Sequence, residues 1–320
     1  MPSAYLSPEA QKFLDNQPPS EICGEHGTMR YVNNRKGISL CCYFWPSKEP
    51  KGIIQILHGH GSYIPYSFLV TKVAGQPPVY EGSWVQKLNE HGYSVCGLDQ
   101  QGSGRSEGLR HYCRSFDEYV DNGLLLARQC TEMGVAGFEN GLPKFVLGES
   151  VSGCIAVIMA LKEKNLFSGV VLLAPMLSLE KVARSGMNRV LRPIGMLLNL
   201  MAPTWELVSS PISPMFPDLQ EKFDKDPVNK HGNTRVRNAM EYQRVTSHLM
   251  ANLDKIDFPF LVFHSEKDTM VDVDGSKALY AEASSADKTL RYVNQMWHVI
   301  VKEPGNADVL AEICIEVRRG

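Results

Sequence analysis

The sequence predicts an α/β protein: a mostly parallel central sheet, helices on both faces, and a helical insert late in the chain. Three observations carry this. Short apolar runs such as Gly52–Leu57 and Gly169–Leu173 alternate with longer helical patterns, as strand–helix–strand units do. Phe145-Val146-Leu147-Gly148-Glu149-Ser150 reads as a strand entering a sharp turn, and small residues then open a helix reaching about Lys164. From about Leu177 to Asp254 the strand signal disappears; apolar helical stretches, a proline-rich segment (Ser210–Pro217) and a charged run (Glu221–Lys230) take its place.

Taken in order, residues 1–25 read as a loosely held arm with one short helix near Pro8–Asn16. Met29–Val32 and Ile38–Trp45 flank a glycine-containing loop and form a hairpin. Gly52–Leu57 is a buried strand followed directly by His58-Gly59-His60-Gly61-Ser62. Ile64–Gly82 has no clean period and contains Pro65, Pro77 and Pro78, so it reads as a functional loop or a poorly ordered insert. A helix over Ser83–His91, a strand over Ser94–Leu98, a glycine-punctuated turn over Asp99–Gly108 and a helix over Phe116–Met133 follow. After the central strand and its helix come the strand Gly169–Leu173 and the insert. Strands return at Pro259–His264 and Leu290–Val293, and a helix from about Asn306 to Arg318 closes the sequence. The expected division is a core in two parts, 1–176 and 256–320, with a helical cap at 177–255.

A chain of 320 residues can bury one large α/β core. A net charge of −2 gives no electrostatic case for nucleic acid. No N-terminal stretch reads as a signal peptide. The longest lipid-like stretch, Ile194–Ala202, is far short of the ~20 residues a membrane span needs. Eight scattered cysteines without a Cys-x-x-Cys pair read as free thiols in a reducing compartment, the cytosol, and argue against a metal site.

In open parallel sheets, functional groups collect at the carboxyl ends of strands. Ser150 sits on one such end, where a sharp turn would expose its hydroxyl at the positive end of a helix; the plainer reading is a helix N-cap. Asp268 lies just past the strand ending at His264, and His298 past the last strand. Acyl transfer by a serine needs a base to take its proton and a carboxylate to orient that base. The order Ser, Asp, His is the one expected for a nucleophile on a strand–turn–helix. Glu266, Asp272 and Asp274 are rivals for the acid. At the fourth strand end, the glycines of His58–Gly61 let the backbone N–H of His60 point at an oxyanion; the second donor is the N–H of Val151. His58 reads as a buried, hydrogen-bonded structural histidine. His58 and His60 have no third ligand near them in sequence, so no metal is expected. Asp99–Gly108 lacks the glycine spacing of a nucleotide loop, and Asp99 and Ser106 are expected to bond backbone there.

Together these motifs resemble the α/β-hydrolases of the monoacylglycerol lipase and lysophospholipase group. The resemblance runs from about Gly27 onward. It rests on His58–Gly61, Asp99–Gly108, the serine turn, Leu173–Met176, Ser276–Tyr280, and Met296-Trp297-His298 with Glu303-Pro304. It implies an α/β-hydrolase fold with a helical cap, the triad Ser150, Asp268 and His298, oxyanion donors His60 and Val151, and no cofactor. The sequence departs from the group at Ser152, where a glycine usually ends the Gly-x-Ser-x-Gly pattern. It departs again at Ser62 and Tyr66, candidate substrate-binding residues that stand where a glutamate and an arginine often recognise a glycerol head group. The Ile64–Gly82 insert is more like lysophospholipase-like proteins of apicomplexan parasites.

The expected partner is a small-molecule or lipid ester, with the lipid monoester first. A small-molecule carboxylesterase, for hydroxycinnamoyl or other acyl esters, is the alternative; a peptidase and a non-catalytic receptor of the same fold are weaker ones. Val190, Leu191, Ile194, Met196, Leu197, Leu198, Leu200 and Met201 crowd one short stretch of the insert, and spacings of three and four put several on one helix face. That face either packs on the core or lines or rims an acyl tunnel above Ser150, through Met196, Leu197 and Met201, with Trp297 a further substrate-site residue. Transient contact of the cap with a membrane surface, by an otherwise cytoplasmic protein, fits the same pattern.

Overall fold

The computed structural model describes residues 6–184, 194–208, 213 and 215–317, without the side chain of Val182. Its strands are β1 (Thr28–Asn33), β2 (Ser39–Trp45), β3 (Gly52–Leu57), β4 (Tyr93–Leu98), β5 (Lys144–Glu149) and β6 (Gly169–Leu173), then β7 (Glu206–Val208) and β8 (Thr234–Arg235), then β9 (Phe260–His264) and β10 (Lys288–Tyr292). Eight of them form one sheet in the order β1-β2-β4-β3-β5-β6-β9-β10. The β1–β2 and β2–β4 pairings are antiparallel and the rest are parallel. β3 and β6 are buried at every residue, so their sequences are continuous apolar runs rather than alternations. In the loop of the β1–β2 hairpin, the Asn34 carboxamide oxygen accepts bonds from the N–H groups of Lys36 and Ile38.

The helices are α1 (Pro8–Asp15), α2 (Pro19–Cys23), α3 (Ile64–Phe68), α4 (Trp84–Glu90), α5 (Phe116–Gln129), α6 (Val151–Lys162), α7 (Glu180–Ala183), α8 (Gly195–Met201), α9 (Pro217–Asp224), α10 (Val236–Met250), α11 (Val273–Glu282) and α12 (Asn306–Glu316). Side chains alternate across each strand, so the sheet feeds two apolar layers. Phe145 and Leu147 of β5 join Trp84 and Val85 of α4 and Leu310 and Ile313 of α12 on one face. Val146 joins Phe116 of α5, Ile155 and Met159 of α6 and Val245 of α10 on the other. Each fully buried aliphatic side chain of this kind stabilises the fold by about 1.5–3 kcal/mol.

The structure differs from the sequence expectations in four places. The N-terminal arm is docked: Ala10 and Leu14 of α1 pack with Tyr63, Tyr66 and Val228, and Arg105 Nη2 donates to Leu14 O at 2.7 Å. Ile64–Gly82 is no loose insert, since all five residues of α3 are buried and Val70 bridges Val79. Its irregular sequence hid a short helix facing inward on every side. The insert between β6 and β9 is not purely helical, because β7 and β8 pair antiparallel within it. Strands of two or three residues are too short to show a period. Finally, α5 ends at Gln129, four residues before the expected Met133. Val190 and Leu191, and most of Ser210–Pro214, lie outside the described residues.

Candidate active site

β5 ends at Glu149, and the chain reverses at Ser150 before α6 starts at Val151. The reversal forces Ser150 to φ 56 and ψ −120, a conformation that L-residues rarely hold. Tight neighbours make it possible. A Cβ on Gly148 would lie 2.2 Å from Ser152 O, and a Cβ on Gly153 would lie 2.4 Å from Pro175 Cβ. Glycine is therefore required at 148 and 153. Position 152 has room for a side chain: Ser152 is fully buried and its hydroxyl donates to His58 O. The departure from the usual glycine pattern thus fastens α6 to the end of β3.

The three strand ends meet. Ser150 Oγ lies 2.9 Å from His298 Nε2, and His298 Nδ1 lies 2.6 Å from Asp268 Oδ2. With its proton on Nδ1, His298 donates to Asp268 and presents Nε2 as acceptor to the serine. The side chains of His298 and Asp268 are 5% and 0% exposed, so water does not screen their interaction. Asp268 Oδ1 accepts from the N–H groups of Met270 (2.7 Å) and Val271 (3.1 Å). Its Oδ2 also pairs with His264 Nε2 at 3.2 Å, while His264 Nδ1 pairs with Ser276 Oγ at 2.7 Å. Burial alone would raise the Asp268 carboxyl; the His298 charge and the bonds from His264 and His298 hold it well below the carboxylate range. Burial pulls His298 down, but the Asp268 charge and hydrogen bond, with the charges of Glu149 and Glu303, leave it above the ordinary histidine value.

The loop bearing His298 is clamped by one carboxylate. Glu303 accepts from the N–H groups of Trp297 (2.6 Å), His298 (3.0 Å) and Val299 (2.7 Å). Trp297 Nε1 donates to Thr269 Oγ1, and Ser265 Oγ donates to Met296 O, which ties the base loop to the acid loop. The rivals for the acid are engaged elsewhere. Asp272 accepts from Ser178 Oγ and Lys181 N, Asp274 pairs with Lys181, and Glu266 pairs with Lys277.

The His58–Gly61 turn lies against the serine: a Cβ on Gly59 would be 3.5 Å from Ser150 Cβ. Val151 is the first residue of α6, so its N–H has no intrahelical acceptor and opens toward the serine turn. The His60 side chain turns away to the insert, where Nδ1 pairs with Tyr242 OH (2.9 Å) and Nε2 with Thr234 Oγ1 (3.2 Å). Burial pushes His60 down to about 4, which keeps its ring neutral. His58 is buried, with Nδ1 on Gly59 O and Nε2 accepting from Gln100 N. In the adjoining turn, Asp99 accepts from the N–H groups of Ile64 and Arg105 and from Tyr43 OH, and Ser106 bonds Cys41 N and Asp99 O.

The expected substrate contacts fare differently. Ser62 and Tyr66 are buried and face inward, because α3 turns into the core. Ser62 Oγ shares a 2.9 Å hydrogen bond with Ser67 Oγ, and the Tyr66 ring packs on Tyr63 and Phe223 under Lys302 Nζ. Trp297 is 2% exposed, and its Nε1 joins the base loop to the acid loop through Thr269. Met196, Leu197 and Met201 are 77%, 58% and 75% exposed, so they do not pack on the core; a place at the rim of a tunnel agrees with that exposure, enclosure within one does not. His264, Glu303 and Glu149 went unassigned from sequence, although His264 stands four residues before Asp268 and Glu149 directly precedes Ser150. Among the described residues, no cluster of three or more His, Cys, Asp or Glu side chains is arranged to hold a metal ion.

This geometry suits nucleophilic attack on a carbonyl carbon, with proton transfer through the imidazole. A family model described as "Serine aminopeptidase, S33" matches residues 78–305. Caffeoylshikimate esterase of Arabidopsis thaliana is 28% identical over 96% of this chain and 89% of that protein. Monoglyceride lipase of Homo sapiens is 27% identical over 85% of this chain and 84% of its own length. A solved monoglyceride lipase from Saccharomyces cerevisiae, in complex with a substrate analogue, superposes with a TM-score of 0.76 at 20% identity, covering 94% of this chain and 97% of that one.

Proposed function

From the premise that this chain belongs to the Serine aminopeptidase, S33 family of serine hydrolases, we propose that it cleaves lipid monoesters through an acyl-enzyme on Ser150. Monoacylglycerols and lysophospholipids are the substrate classes. The observation that carries this reading is the buried relay from Asp268 through His298 to a serine held in a strained turn. His298 takes the Ser150 proton as Oγ attacks the ester carbonyl. Asp268 stabilises the imidazolium that forms, and the N–H groups of His60 and Val151 receive the oxyanion. The tetrahedral intermediate collapses, the alcohol leaves with the proton from His298, and the acyl group stays on Oγ. Water, deprotonated by His298, then releases the fatty acid and restores the serine.

Residues 177–255 form the cap in this reading. The similarity to monoglyceride lipases supports the lipid substrate, and so does the surface of α8, where Met196, Leu197, Leu200 and Met201, with Trp205 beyond, are all exposed. Such a face gains about 0.8 kcal/mol for each methylene of lipid it covers, which favours transient docking on a membrane or micelle. No described helix is long and apolar enough to cross a membrane.

The similarity to caffeoylshikimate esterase supports a second reading, a small-ester esterase. Turnover of a series separates the two: monoacylglycerols of increasing chain length, a lysophosphatidylcholine, and a hydroxycinnamoyl ester. Efficiency rising with chain length over several carbons is expected. A preference for the hydroxycinnamoyl or an acetyl ester would replace the lipid reading with the second one.

A further inference from the structure

The site contains a second buried carboxylate, and the mechanism above gives it no task. Glu149 is the last residue of β5, adjacent to Ser150, and is 5% exposed. Its Oε2 lies against the His58–Gly61 turn, 3.6 Å from where a Cβ on Gly59 would stand. Burial raises the Glu149 carboxyl above its ordinary value, while the His298 and Lys302 charges, the Ser67 hydroxyl and the Gly59 backbone beside it favour the charged form; Ser67 Oγ is itself paired with Ser62 Oγ at 2.9 Å. Its charged neighbours are the His298 imidazole and the Lys302 ammonium. Lys302 is half-buried; its Nζ donates to Leu69 O at 3.1 Å and stands 4.7 Å above the Tyr66 ring. A charged side chain in the turn beside a nucleophile is costly to bury unless its charge is used or matched.

We propose that Glu149 is a positioning residue for this reaction: a second buried carboxylate, set between Ser150 and the His58–Gly61 turn and balanced by Lys302, that stabilises the His298 imidazolium alongside Asp268. Asp268 holds the ring by direct contact, and Glu149 adds a field without touching the substrate. Ser62, Ser67 and Tyr66 then belong to one buried assembly that flanks Glu149 and seats its counter-ion. The proposal rests on the reading of Ser150 and His298 as nucleophile and base.

The charges acting on His298 come from Asp268 after β9, Glu149 at the end of β5 and Glu303 in its own loop. Burial pushes Lys302 down to about 8; Lys222 of α9 pushes it further down, while Glu149 and Asp226 oppose this. The test is therefore confined to about pH 5–7.5, where Lys302 keeps its charge, and reads the acid limb of kcat/KM on a soluble short-chain ester. Glu149→Gln removes the negative charge and should move that limb to lower pH by about half a unit or more, with a plateau lowered roughly three- to tenfold by the weaker base. Glu149→Asp should restore the limb toward wild type. Ser67→Ala, which removes only the neighbouring hydroxyl that favours the charged carboxylate, should shift it the same way by less, and it serves if Glu149→Gln fails to fold. An acid limb unmoved in Glu149→Gln, or in Ser67→Ala where Glu149→Gln cannot be made, overturns the proposal whatever happens to plateau rate or melting temperature. Wild-type enzyme that turns over ester and loses activity in Ser150→Ala keeps the hydrolase reading intact in that case; inert wild-type enzyme would overturn both.

Discussion

Asp268 accepts hydrogen bonds on both carboxylate oxygens, two from backbone and two from histidines. That engagement separates it from Glu266, Asp272 and Asp274, over which the sequence preferred Asp268 only for its position after the strand. Asp268→Asn should lower kcat by about ten-thousandfold, because a carboxamide at this place favours the wrong His298 tautomer. Glu266→Gln should leave steady-state rates close to wild type. The base must be neutral to accept the serine proton, and its folded-state pKa is raised. Ester turnover should therefore rise with pH through a midpoint above the unperturbed histidine value of ~6.5 and fall away below it. A pH–rate profile of kcat/KM checks this, and a midpoint at or below ~6.5 would contradict the charge environment described for His298. The residue identities of the relay were readable because each stands just past an apolar run. Glu303 and His264 were not, since their role depends on loops that meet only in the folded chain.

At the scale of elements, the turn between β5 and α6 depends on close approach at two glycines. Gly153→Ala would press a Cβ into Pro175 and should lower stability by about 1–3 kcal/mol, or block folding. Ser152→Gly restores the commoner pattern yet removes the bond to His58 O and loosens a helix, and should cost about 1–2 kcal/mol while activity persists. Thermal melts of the two variants check both, and a Ser152→Gly protein as stable as wild type would sink this reading of Ser152. The sheet strands were readable from continuous apolar runs. α3 and the docked face of α1 were not. α3 is buried on all sides and shows no amphipathic period, and α1 is short, with partners more than 45 residues away along the chain. The same limit hid the inward orientation of Ser62 and Tyr66.

At the scale of the molecule, α8 presents apolar side chains outward, as does Trp205 beyond it, and the sequence could not say where they would point. Apolar spacing looks the same whether a helix faces a core, a tunnel or a lipid surface. Met196→Glu and Leu197→Glu should depress turnover of vesicle-dispersed long-chain monoacylglycerol several-fold more than turnover of a soluble acetyl ester, because only the former needs the apolar face. Equal losses on both substrates would remove the interfacial role. All of these outcomes presuppose that Ser150 is the nucleophile. The most direct test treats wild-type and Ser150→Ala protein with a fluorophosphonate probe and maps the adduct by peptide mass spectrometry. Labelling at Ser150 alone in the wild type, absent from Ser150→Ala, is the expected result; an adduct on another serine, or unreduced labelling and turnover in Ser150→Ala, would contradict it.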